Sequence, residues 1–262
     1  MEKKILYLLT CVGLCWSSCT NEVDEFIGNV EPSTRSVSTA LNANLASLFT
    51  GGAPTLTSAE IKEVNDAYAK MTSINCYRNI DEAVRNKTSY VGTIFLDDTY
   101  ASAYFRKGSL AFPPYGILAS SMEHEFIHMY QRDVQGKKVD TDKEKRDTGM
   151  MEFELAFYQG IIRYIHAGYS WTFKGEDGDP SYQSLWTSGL TDPSLIPQYE
   201  REFQTYVASI CANGKPTSID INEFVKWSNI FGEYSRGYSG KGYKFGNYDY
   251  GTSCINSLLK LY

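Results

Sequence analysis

Histidine is the scarcest functional side chain in this chain: 262 residues carry only three. Any histidine-based chemistry therefore has to be built from His124, His128 and His166. Cysteine is also thin, with six residues and no Cys-x-x-Cys pair, which argues against a cysteine-ligated zinc knuckle or a disulfide scaffold. No apolar stretch approaches the roughly 20 residues needed to span a bilayer as a helix. Lys and Arg form no cluster and the net charge is −6, so nothing offers nucleic acid a phosphate-binding stripe. No internal repeat is present, which sets aside solenoids and propellers.

The remaining composition is that of a globular protein: 42% hydrophobic and 21% charged, long enough to bury a substantial core in one domain. Aromatics reach 14%, mostly tyrosine. They read either as buried packing or as the lining of a groove for peptide or glycan.

At the N-terminus Lys3 and Lys4 precede an apolar run from Ile5 to Trp16, then Ser17-Ser18-Cys19. A short apolar segment behind positive charge is a secretory leader. The small residues before Cys19 resemble a bacterial lipobox, with Trp16 where a Leu is usual. The acidic Asn21-Glu22-Val23-Asp24-Glu25 stretch resembles the export tag of some surface-exposed Gram-negative lipoproteins. We expect a signal peptide over 1–18, lipidation at Cys19, a Ser/Thr/Asn/Gly-rich tether over 19–52, and a folded domain over 53–262. The protein would be an outer-membrane lipoprotein of the cell envelope, held to the membrane through its N-terminal lipid. Of the six cysteines only Cys76, Cys211 and Cys254 would then remain, enough for one disulfide at most.

Thr57 and Glu60 are spaced as a capping box ahead of a helical stripe of Ile61, Val64, Tyr68 and Met71. Residues 90–96, 100–105 and 109–112 read as strands, the last two turning at Lys107-Gly108. Pro113-Pro114 closes that sheet, and a helix is predicted to start between Tyr115 and Ser121 and run to about Val134. A second helix is predicted over 149–167, a third over 196–212, and a fourth after Asp220 with Glu223 as capping partner. Gly175 to Pro180 reads as a solvated turn, since its acidic spacing matches no EF-hand loop. The stretch from Gly232 to Gly251 is Gly/Tyr/Lys-rich and reads as irregular.

The first of the long helices carries His124-Glu125-Phe126-Ile127-His128. Residues i and i+4 project from one helix face, so both imidazoles can reach one metal ion. Glu125 lies beside them as a proton acceptor for water held on that ion. Met122, Phe126, Met129 and Tyr130 form the buried stripe; His124, Glu125, His128 and Gln131 share another face.

In this pentapeptide, on a helix that follows a small sheet, the chain resembles the zincin metallopeptidases over roughly residues 90–167. That resemblance implies an α+β fold: a small mixed sheet packed on the active-site helix, with a mainly helical C-terminal lobe. The metzincin branch does not fit, because its third histidine and glycine would fall on Val134 and Gln131. The gluzincin branch takes a glutamate from a following helix, and 149–167 supplies one. Glu152 and Glu154 compete for that role; about 200° of rotation separates them, so both cannot face one ion. Glu152 is favoured, because Ala156, Gln159 and Gly160 on its side permit close helix approach while Glu154 sits inside the apolar stripe. Ala156 stands where gluzincins often carry an acidic or amide residue, which leaves Glu154 or Asp147 to orient a ligand imidazole. His166 lies about 21 Å along the helix from Glu152 and cannot join the same ion.

The resemblance implies Zn2+ held by His124, His128 and Glu152, with Glu125 as general base in peptide-bond hydrolysis. A tail tyrosine (Tyr234, Tyr238 or Tyr243) would donate to the oxyanion. The expected partner is a peptide or protein substrate on a monomeric enzyme. The rival reading is a zinc-free, catalytically inactive zincin-like surface module that binds peptide or glycan. A cell-wall amidase is a further alternative.

Overall fold

The computed structural model describes residues 40–100, 102–138, 145–166, 192–235 and 238–262. The leader, Cys19, most of the tether and the 175–180 turn lie outside the described residues. Among those described, no helix is long and apolar enough to cross a membrane.

Packing begins earlier than the sequence suggested. α1 (Ala43–Leu48) falls within the stretch assigned to the tether, yet Leu45, Leu48 and Phe49 are buried in the core. Phe49 also bridges Tyr90 in parallel fashion. The polar composition hid three apolar side chains at helical and strand spacing. Residues 41–49, inside the stretch assigned to the tether, thus already belong to the packed part.

α2 (Ser58–Ser73) begins at the capping box, Thr57 and Glu60 each bonding the other's backbone N–H. α3 (Asn75–Lys87) follows after one extended residue, Ile74. Its buried positions, Cys76, Tyr77, Ile80 and Val84, recur at three- and four-residue spacing, a stripe that the sequence reading passed over.

Three short strands come next: β1 (Ile94–Leu96), β2 (Tyr104–Arg106) and β3 (Ser109–Phe112), in spatial order β1-β3-β2. β1 runs parallel to β3 and β2 antiparallel to it, so the sheet is mixed. The β2–β3 hairpin turns on Lys107 and Gly108, both at positive φ, the conformation that a two-residue hairpin loop requires. Among the described residues no strand pairs with the outer side of β2.

α4 (Ala119–Met129) carries the motif, and α2 and α3 pack against it. Phe126, Ile127, Met122 and Met129 have no solvent exposure or nearly none. Burial of such side chains contributes about 1.5–3 kcal/mol each. The helix then widens into a π-turn, Tyr130–Val134, closed by Gln135 N–H to Tyr130 C=O at 3.0 Å. Single π-turns of this kind recur at functional sites. Arg132 in that turn lays its guanidinium 4.3 Å from the centroid of Phe105, tying β2 to the end of the motif helix.

α5 (Lys145–His166) is the second helix of the site. It packs on α4, on α6 (Ile196–Ile210), on α7 (Ile221–Tyr234) and on α8 (Ser253–Leu259). Phe153 and Phe157 anchor that lobe through Phe224, Phe231, Phe203 and Trp227. α6 stops two residues short of the predicted end, where β4 (Cys211–Ala212) turns back on β5 (Lys215–Pro216). α7 is capped by Asp220 accepting from the N–H of Asn222, rather than through Glu223. The tail after α7 folds back over α5. At Gly149 an added Cβ would stand 2.8 Å from the Lys244 carbonyl oxygen, so the close approach needs glycine. The whole is α+β: a small mixed sheet against the motif helix, and a helical lobe behind it.

Candidate metal centre

On α4, one helical turn brings the rings of His124 and His128 to 4.8 Å between centroids, edge to face. α5 crosses beneath them and presents Glu152. Its Oε1 lies 3.3 Å from His128 Nε2 and its Oε2 lies 3.7 Å from His124 Nε2. One ligand atom from each of the three residues falls within 4.8 Å of the others. Each side chain keeps about one fifth of its surface open (20%, 17% and 20%), so the cluster faces solvent on one side.

The donor set fits a divalent transition metal. Two imidazole nitrogens and one carboxylate oxygen are what zinc takes in sites that keep a fourth position open. Ligands at about 2.0–2.1 Å around a tetrahedral ion stand roughly 3.3–3.4 Å apart. The His128–Glu152 separation of 3.3 Å matches that spacing, and the His124–Glu152 separation of 3.7 Å, to the other carboxylate oxygen, is slightly longer.

Electrostatics separates the three ligands. Burial and the charge of His128 hold His124 down at about 4, so that ring is neutral at ordinary pH. Burial also disfavours charge on His128, but the facing Glu152 carboxylate outweighs it and raises that imidazole. Burial acts to raise Glu152 as well, and the two imidazoles with the Tyr238 hydroxyl overcome it and hold the carboxyl low. An ionised carboxylate against imidazole is the form that binds a cation.

Glu125 stands behind this cluster, its Oε1 4.0 Å from His124 Nε2 and its side chain only 5% exposed. Burial pushes its carboxyl up to about 7, with Glu152 adding to the rise; His128 and the Phe105 backbone of β2 oppose it.

Of the two α5 carboxylates, the structure brings Glu152 to the imidazoles. Glu152 faces the imidazoles, whereas Glu154 is fully buried on another side of the helix, as the apolar stripe around it predicted. Asp147, the other candidate for orienting an imidazole, acts electrostatically on Tyr250 rather than on either ring. His166 is exposed, edge-on to Tyr262 at 5.9 Å, and takes no part.

Of the three tail tyrosines, Tyr238 reaches the site, its hydroxyl donating to Glu152 Oε2 at 2.7 Å. Tyr234 packs against Tyr199, and Tyr243 lies edge-on to the Tyr238 ring. Gln131 has a partner role that the sequence reading did not assign. Its Oε1 lies 2.8 Å from His128 Nδ1. The available signal was its place three residues after a ligand on the same face.

Among the described residues Cys76, Cys211 and Cys254 form no disulfide. Comparison of the chain with family models, curated proteins and solved structures returns no match. Functional assignment therefore rests on the geometry of the site.

Proposed function

We propose that the chain is a zinc-dependent peptidase of the zincin kind, with His124, His128 and Glu152 as ligands and Glu125 as general base. The observation that carries this reading is the arrival of Glu152, from a separate helix, against both imidazole Nε2 atoms with a buried glutamate behind them. A surface helix that merely happened to carry two histidines would have no reason to meet such a carboxylate.

A zinc ion held there supplies Lewis acidity, lowering the pKa of coordinated water toward about 7 and polarising a substrate carbonyl. Glu125 accepts the proton of the attacking water as its oxygen bonds to the carbonyl carbon. It then returns the proton to the amine nitrogen as the C–N bond breaks. A carboxyl raised toward neutrality is suited to both transfers. Tyr238, whose hydroxyl donates to Glu152, is the tail phenol that would turn to donate to the oxyanion developing on the carbonyl oxygen. The outer side of β2, which no strand among the described residues pairs and whose Phe105 backbone bonds Glu125, can take an extended peptide and lay its carbonyl over the site.

The test is Glu125→Gln in the soluble domain, with zinc content and hydrolysis of a peptide library measured together. Zinc should be retained while the rate falls about 10²–10⁴-fold. An active Glu125→Gln protein contradicts the mechanism; a zinc-loaded wild type that cleaves nothing points to a binding module.

The same proposal places the protein in the cell envelope, anchored through lipid on Cys19. Labelled palmitate should enter the wild type and not Cys19→Ala; an unlabelled, freely soluble wild type would leave plain secretion.

A further inference from the structure

Behind His128 runs a continuous polar connection into the core. The His128 ring meets Gln131 through Nδ1 and Oε1 at 2.8 Å. Gln131 Nε2 donates to the main-chain carbonyl of Met151 at 3.0 Å and to Glu154 Oε2 at 2.8 Å. That same carboxylate oxygen accepts from the Tyr250 hydroxyl at 2.9 Å. Gln131 and Glu154 are both fully buried.

This geometry fixes which way the amide points. A main-chain carbonyl can only accept, so the Gln131 nitrogen must face Met151, and its oxygen is left facing His128. An amide oxygen can only accept too, so Nδ1 of His128 carries the hydrogen and Nε2 is free to bind a cation. The π-turn at Tyr130–Val134 is what carries Gln131 over α5 to make both contacts. Ala156, one turn beyond Glu152, offers no carboxylate for a direct contact to the ring.

We propose that Gln131 is the positioning residue for His128: its amide sets the tautomer and ring direction of the ligand, and is itself locked by Met151 and Glu154. The proposal rests on the metal reading above, and its test separates the two.

With only three histidines, 15N-histidine labelling gives a small set of imidazole resonances that single His variants assign. In the zinc-loaded wild type, His128 should show a slowly exchanging Nδ1–H with the metal on Nε2. Gln131→Met, of similar volume, should speed that exchange and weaken zinc binding about 10–100-fold, as loss of a ligand's orienting partner typically does. Metal on Nδ1, or a folded Gln131→Met with unchanged exchange and affinity, overturns the proposal. The wild-type spectrum decides the tautomer even if Gln131→Met fails to fold. A wild type that takes up no zinc defeats the metal reading instead. The same nuclei, read in metal-free protein above the imidazole titration, then judge the link: Nδ1–H supports it and Nε2–H overturns it.

Discussion

On one side of α5, Glu152 lies about one-fifth exposed among two imidazoles and a phenol. On another side, two residues along, Glu154 is fully buried among an amide, a phenol and the Cys254 thiol. The side chains are identical, yet one is held low chiefly by the facing His128 imidazole and the other is pushed up by burial. The facing imidazoles keep Glu152 low despite desolvation; the hydrogen-bond donors around Glu154 and the charge of Lys137 do not offset its burial. The difference suits the first to holding a cation and the second to a structural task.

The sharpest way to break that comparison is to delete each carboxylate in turn. Glu152→Ala removes one of three ligands and the negative charge, so zinc affinity should fall by more than about 100-fold, beyond what losing an orienting partner costs. Glu154→Ala leaves the Gln131 amide and the Tyr250 hydroxyl without their buried acceptor, at about 1–3 kcal/mol for each unsatisfied group. It should lower the unfolding free energy while weakening zinc by no more than about 100-fold. Chelator competition and urea unfolding on both variants measure this. The reverse ranking in metal affinity would mean Glu154 turns toward the ion.

A smaller effect separates the two phenols. Tyr238→Phe should leave stability nearly unchanged and lower the hydrolysis rate up to about 10²–10³-fold, the range for losing one oxyanion donor. Tyr250→Phe takes a donor from a buried carboxylate and should cost about 1.5–3 kcal/mol of stability, with a lesser effect on rate. Equal rate losses in the two would place Tyr238 among the structural groups.

The site was legible where a local rule governs it. His124 and His128 share a face because the helix has 3.6 residues per turn, and Glu152 was favoured over Glu154 because of the small residues beside it. What was not legible depends on contacts across the chain. Tyr238 meets Glu152 from 86 positions away, and Tyr250 meets Glu154 from 96. No spacing rule selects Tyr238 over Tyr234 or Tyr243. α1 was not legible because it lies in a Ser/Thr/Asn/Gly-rich stretch, and one six-residue helix gives too little periodicity to read. α3 was overlooked although its stripe is regular. The α+β fold class came with the zincin resemblance, which the pentapeptide on a helix after a small sheet carries.

The smallest effect, and the one that tests the comparison most directly, is the pH dependence of stability in chelator-treated, metal-free protein. Glu152 is held below its ordinary 4.5, so its contribution is present above 4.5 and disappears as pH falls toward about 2. His128 is raised from 6.5, to about 9, so the pair's contribution is complete below 6.5 and lost as pH climbs through 9. The stability gap between wild type and Glu152→Gln should therefore be widest between pH 4.5 and 6.5 and narrow on both sides. Glu154 has the opposite sign. Its folded carboxyl is raised, so the fold resists an ionisation that the unfolded chain undergoes freely, and wild type loses stability as pH rises above 4.5. Glu154→Gln, which keeps an acceptor for Gln131 and Tyr250, should gain on wild type over that rise. Urea unfolding of the three proteins across the range reads both gaps. Parallel gaps of one sign would mean that the two carboxylates share an environment, and the division of labour along α5 would be lost.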